Sequence, residues 1–194
     1  MFWRYYMKQA ADSYDSLKAY AWSDNAVLEG TSADELLTAS GEGLTVKAGD
    51  GADTITAYGR NEMIDGGDGD DSIVNCGSDV TISGGAGDDT INHAAHYIYA
   101  LGDGNDLITN YSSDDTIHLL SVENTNSLIA GSDAILKIGD GLITLKNAAA
   151  FALNVVDGNN TPITLSQPTV ESAINFGEVS YLFDESTGAL RRRK

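Results

Sequence analysis

AGDGADTIT (48–56), GGDGDDSIV (66–74), GGAGDDTIN (84–92) and LGDGNDLIT (101–109) are four versions of one nonapeptide. Each closes with a short apolar pair, and the aliphatic in that pair keeps time along the chain. Leu37, Val46, Ile55, Ile64, Ile73, Ile82 and Ile91 fall nine residues apart, and Ile108 and Ile117 resume the step after a stretch one residue short. Glycine and aspartate repeat at twice that interval. A period under ten residues is too short for a helical repeat, which needs about twenty or more. It fits a solenoid in which each nonapeptide supplies one tight loop and one short strand. A flexible glycine-aspartate linker has similar composition, but nothing in a linker would hold aliphatics in register over so many steps.

These four segments resemble the GGxGxDxUx nonapeptide of the hemolysin-type (RTX) calcium-binding proteins. The resemblance covers about residues 30–165 and implies an all-β fold: a parallel β-roll with six residues of each repeat in the loop and three in the strand. It also implies calcium ions held between loops stacked one full coil apart. The chemistry is consistent with that. Glycine permits the left-handed backbone that turns carbonyl oxygens inward, aspartate adds hard anionic oxygens, and calcium takes six to eight oxygen ligands. On this resemblance the ligating residues are Gly49, Asp50, Gly51 and Asp53; Gly66, Gly67, Asp68, Gly69 and Asp71; Gly84, Gly85, Ala86, Gly87 and Asp89; and Gly102, Asp103, Gly104 and Asp106.

Sorting alternate nonapeptides into two edges exposes an asymmetry. One edge carries the loops beginning at Gly30, Ala48, Gly66, Gly84 and Leu101. The other carries ASGEGL (39–44), AYGRNE (57–62), NCGSDV (75–80) and HAAHYI (93–98), which have lost most of the glycines and the loop aspartate. The expectation is therefore about three calcium ions on one edge only, between the 48 and 66, the 66 and 84, and the 84 and 101 loops. The GTSADE loop (30–35) is a further candidate, with glutamate at its sixth position.

Charge agrees. The chain has 29 acidic and 11 basic residues, a net charge of -18, and between residues 48 and 106 eleven aspartates and Glu62 face Arg60 alone. Self-repulsion would keep this segment loose without metal, and its modest hydrophobicity offsets little chain entropy. Cations that neutralise the loops would couple folding to binding. Nucleic acid is a poor partner for such a surface.

The flanks divide the chain into four parts: 1–27, a helical cap; 28–118, the calcium-binding β-roll; 119–166, an antiparallel β cap; and 167–194, a tail. Phe2, Tyr6, Ala10, Tyr14, Leu17 and Ala21 follow helical spacing, and such a helix would cover the open end of the first coil. Arg4, Lys8 and Asp12 argue against a signal peptide, and no window approaches a membrane span. Beyond the roll, strands are expected at 117–122, 134–138, 142–146, 152–156 and 162–165, with turns at Asp140-Gly141 and Asp157-Gly158. Residues 169–183 read as a short helix or a strand pair, and the basic end Arg191-Arg192-Arg193-Lys194 as a solvated tail. That basic end departs from the uncleaved signals through which the family leaves the cell by type I secretion, and suggests a fragment or an altered end.

Catalytic groups are scarce. His93 and His96 lack a third ligand in sequence, and His118 has no nucleophile beside it. Cys76 is the lone cysteine, so no intrachain disulfide forms. It reads as either a small buried hydrophobe or an inert surface thiol. No phosphate loop, HExxH or GxSxG occurs, and aspartates that repeat identically suit ligands better than an acid-base pair in contrasting environments. The expected function is a non-enzymatic calcium-binding module of a secreted bacterial protein, extracellular or at the cell surface, folding on calcium outside the cell. Its partners would be a type I secretion apparatus or a cell-surface molecule. The alternative is an accessory C-terminal domain of a larger secreted enzyme, toxin or adhesin.

Overall fold

The computed structural model describes residues 4–5, 17–21, 24–122, 125–165, 174–176, 179–184 and 189–192. Among them every regular element is a strand. The nonapeptides wind into a parallel β-solenoid with two walls. One sheet contains, in spatial order, Arg4–Tyr5, Val27–Glu29, Thr45–Asp50, Met63–Asp68, Thr81–Ala86, His96–Tyr99, Thr116–Leu119 and Val155–Asp157. The facing sheet runs Leu17–Ala21, Glu35–Ala39, Thr54–Ala57, Ser72–Asn75, Thr90–Asn92, Asn105–Thr109 and Gly141–Leu145, then Asp133–Ile138 and Asn126–Ala130.

The aliphatic clock is the core. Leu37, Ile55, Ile73, Ile91 and Ile108 stand in register along one wall, and Leu28, Val46, Ile64 and Ile82 along the other. Strand residues alternate in and out, and these inward positions are all buried. Ile73 and Ile82 are both 0 % exposed. Either changed to Ala should cost about 2–5 kcal/mol in denaturant unfolding at saturating calcium, and unchanged stability in both would mean the clock does not mark a packed interior.

Four expectations need correction. Where the expected N-terminal helix is described, it is strand: Leu17–Ala21 lies parallel on Glu35–Ala39, with Ala19 opposite Leu37, and Arg4–Tyr5 pairs with Val27–Leu28. A spacing of four, as from Leu17 to Ala21, satisfies both the helical period and the strand period of two. The open hydrogen-bonding edge of the next coil decides between them. The other helical positions, Phe2, Tyr6, Ala10 and Tyr14, lie outside the described residues.

At the irregular repeat, HAAHYI is not a six-residue loop. Only residues 93–95 turn, the strand starts at His96, and Tyr97 takes the inward place opposite Ile82 and Ile117. The loop is three residues shorter than its neighbours, so the core position falls fifteen residues after Ile82. The larger tyrosine fills it, its hydroxyl accepting a hydrogen bond from the Ala94 N–H at 2.8 Å.

Beyond residue 118 the antiparallel hairpins form, through the turn Gly139-Asp140 and an additional strand at Asn126–Ala130. However, Gly141–Leu145 and Val155–Asp157 also join the two walls in parallel. The expected strand at 162–165 contracts to one bridge, Val156 to Pro162. The last described segments form a three-stranded antiparallel sheet, Ile174–Phe176, Val179–Asp184 and Ala189–Arg192, which places Arg191 and Arg192 in a strand rather than a tail. The Tyr181-Leu182-Phe183 run has the composition for it.

Candidate metal centre

Along one edge the sixth residue of each loop turns inward, and the carboxylates form a ladder. The backbone N–H of Glu35 donates to Asp53 Oδ1 at 2.7 Å, Asp53 to Asp71 Oδ1 at 2.8 Å, Asp71 to Asp89 Oδ1 at 2.8 Å and Asp89 to Asp106 Oδ1 at 3.2 Å. Each rung links one coil to the next. The second oxygen is different. Oδ2 of Asp53, of Asp71 and of Asp89 is buried without a hydrogen-bond partner, and all three residues are at most 2 % exposed. An unpaired buried anion is costly.

The space around these oxygens is shaped by glycine. A Cβ placed on Gly66 would collide with both Asp71 Oδ2 and the carbonyl oxygen of Gly84, so these two oxygens share the room that Gly66 leaves open. Backbone angles confirm the loop design: Gly49, Gly51, Gly67, Gly69, Gly85, Gly87, Gly102 and Gly104, at the second and fourth loop positions, all have φ between 101° and 143°. There the loops sit directly on one another, with Gly67 over the Gly49 carbonyl and Gly69 over that of Gly51.

Burial lifts these carboxyls, and the neighbouring aspartates add to it while the rung N–H opposes it. Asp53 and Asp71 are each pushed up to about 6, Asp89 to about 7 and Asp106 to about 8. Asp50, Asp68, Asp70 and Asp88 face solvent instead. Asp70 Oδ1 and Asp88 Oδ1 brace the ladder from outside by accepting the N–H of Asp88 and of Asn105, both at 2.9 Å. Ala86 is exposed as well, so Asp50, Asp68 and Ala86 can offer the interior only their backbone. Among the described residues no three acidic, His or Cys side chains gather on one point. The oxygens that meet are one carboxylate per coil and backbone carbonyls.

The two ends of the ladder are closed by protein groups that sequence reading missed. At Gly30–Glu35 the Glu35 carboxylate is satisfied within its own loop by the N–H and hydroxyl of Thr31, and Thr31 and Ala33 replace the positive-φ glycines. At the other end the Tyr99 hydroxyl donates to the Gly104 carbonyl at 2.6 Å. The one-residue deletion also shows. A Cβ on Gly102 would meet nothing, whereas Gly104 still lies over the Gly87 carbonyl. Asp103 turns back to accept the Ala100 N–H at 2.6 Å. The 48/66 and 66/84 intervals are thus more completely built than the 84/101 interval.

The opposite edge follows other rules. Its left-handed residues sit at the fifth loop position, where Gly43, Asn61 and Asp79 follow one another at the coil repeat, and Asn and Asp tolerate this backbone. Leu44 and Val80 fill the inward sixth position. Glu62 is the exception: it is 1 % exposed with Oε1 unpartnered, and Oε2 accepts the Gly59 N–H at 3.2 Å. Burial raises its pKa. Cys76 is an exposed thiol.

The fold and this edge define a class: a two-walled parallel β-solenoid whose coils are paired nonapeptides and whose acidic, glycine-stacked loops align along one side. No family model matches the chain, and no curated protein matches it in sequence. Among solved structures, the extracellular lipase LipA from Serratia marcescens is similar at 9% identity with a TM-score of 0.42, over 78% of this chain and 41% of that one.

Proposed function

We propose that this chain is a calcium-binding module that folds on its ions, as part of a secreted bacterial protein. The observation that carries the reading is the column of buried carboxylate oxygens, Oδ2 of Asp53, Asp71 and Asp89, left without a partner in a chain of net charge -18. A hard divalent cation suits that donor set of carboxylate and carbonyl oxygens. Asp53, Asp71 and Asp89, with loop carbonyls such as that of Gly84, would hold the ions. Bound calcium would supply the counter-charge that the protein does not. Asp50, Asp68, Asp70 and Asp88 would draw cations in from solvent and brace the loops. Folding would then follow calcium availability, low inside a cell and high outside it, and the role is a scaffold's rather than a catalyst's.

Circular dichroism and calorimetric titration test this. Calcium should drive a steep, cooperative gain of β-structure, because ordering one coil presents half of the next interval. Asp71 stands between two intervals, its Oδ1 toward the 48 loop and its Oδ2 beside Gly84. Asp71→Asn should therefore weaken calcium binding by more than about tenfold. Asp79→Asn, on the opposite edge, should leave it unchanged. Equal losses in the two variants would overturn the assignment of ions to one edge, and a chain folded equally well in chelator would remove the coupling of folding to calcium.

A further inference from the structure

His96 and His118 lie 22 residues apart in sequence, and the solenoid sets them side by side on neighbouring parallel strands. His96 Nδ1 and His118 Nε2 are 3.2 Å apart, with ring centroids at 5.2 Å and ring planes inclined by 61°. The rings therefore meet nitrogen to nitrogen instead of stacking. Two nitrogens bound to one tetrahedral ion at about 2.0–2.1 Å are separated by about 3.3 Å, close to the observed gap. In the metal-free protein the same gap suits an N–H···N hydrogen bond, and an ion entering it takes the place of that hydrogen while the donor ring carries its proton on the other nitrogen.

Two further features favour a metal. The Asn160 side chain reaches His118, in the place of an outer partner that can fix a ligating imidazole's tautomer and orientation. His96 is exposed and His118 half-buried, so the open side of the pair admits water as the remaining ligands.

We propose that His96 and His118 form a site for one borderline transition-metal ion of the Zn2+ class, separate from the calcium edge. Imidazole suits such ions, whereas calcium selects oxygen. The proposal does not depend on calcium occupying the acidic ladder.

Zn2+ itself is the probe, titrated into calcium-saturated protein at pH 7.5 and followed by calorimetry. One equivalent should bind and resist excess calcium. His118→Ala and His96→Ala should each weaken it by more than about tenfold while the calcium-bound circular dichroism stays unchanged. Asn160→Gly, which keeps the positive φ of 61° accessible, should weaken it by about tenfold. His93→Ala should leave it intact. Cu2+ at the same site should show nitrogen hyperfine splitting from two imidazoles. Zinc that calcium displaces, or that survives both histidine substitutions, would place the ion in the acidic loops and overturn the proposal, as would the absence of a bound equivalent.

Discussion

Gly67→Ala should abolish cooperative folding of the roll near neutral pH, even at saturating calcium. Gly67 has φ +112°, a backbone that L-residues adopt only under strain. A Cβ there would also be driven far inside contact with the carbonyl oxygen and the backbone of Gly49. Neither atom is the end of a flexible side chain, so the two coils would have to separate. Separation breaks the Asp53-to-Asp71 rung at the same level. The expected loss exceeds about 4 kcal/mol, at the extreme of point substitutions. Gly158→Ala is the control. Its Cβ would meet only Leu120 Cδ2, at 3.8 Å, without a positive φ, so stability should stay within about 0.5 kcal/mol. Similar unfolding midpoints for the two variants would mean that the loops are not in direct contact.

The second large effect is a reversal of pH dependence. Without metal, Asp53, Asp71, Asp89 and Asp106 titrate at about 6, 6, 7 and 8 in the folded chain, against 3.8 for an unperturbed aspartate. The folded state then binds protons more tightly than the unfolded state, and its stability falls as pH rises. The contribution is intact below about pH 4 and has gone above about pH 8. Calcium requires the same carboxylates deprotonated, so at saturating metal stability should climb across that interval. Melting temperatures at pH 5 and pH 8, in chelator and in calcium, give four values whose slopes have opposite signs. A chelated protein unfolded at pH 8 that regains β-structure at pH 5 fits the expectation. A chelated protein more stable at pH 8 than at pH 5 refutes the burial of uncompensated aspartates.

Much of this architecture is legible from residues nine apart, because an aliphatic at each inward position is what a narrow interior demands. The same nine-residue step continues upstream of Leu37. Leu28 lies nine residues before Leu37 and Ala19 nine before Leu28, and both stand in register in the walls. Leu28 already falls within the expected roll, whereas Ala19 is masked by its small size and by the helix-compatible spacing of Leu17 and Ala21 around it. Tyr97 was illegible for a different reason: a shortened loop moves the inward position off the clock, and only the facing strands reveal where it lands. The ladder's sixth-position aspartates follow from the motif. The closures at Thr31 and Tyr99 do not, since each depends on a local turn bringing a hydroxyl onto an acceptor four or five residues further on. Glu62 carries no sequence signal apart from its loop position.

The rungs between Glu35 and Asp106 all run one way, each N–H donating to the carboxylate one coil further on. The stack therefore has a quantum of growth. A block of eighteen residues inserted between Gly66 and Gly84 would bring its own donor, acceptor, aliphatic pair and vacant oxygen, and could be added without altering any neighbour. A block of nine would reverse the two edges from that point on, setting an aspartate loop over one shaped by Glu62 or Val80. Whole coils are thus the unit by which the ladder can lengthen, and the unlikeness of its two sides disfavours half steps.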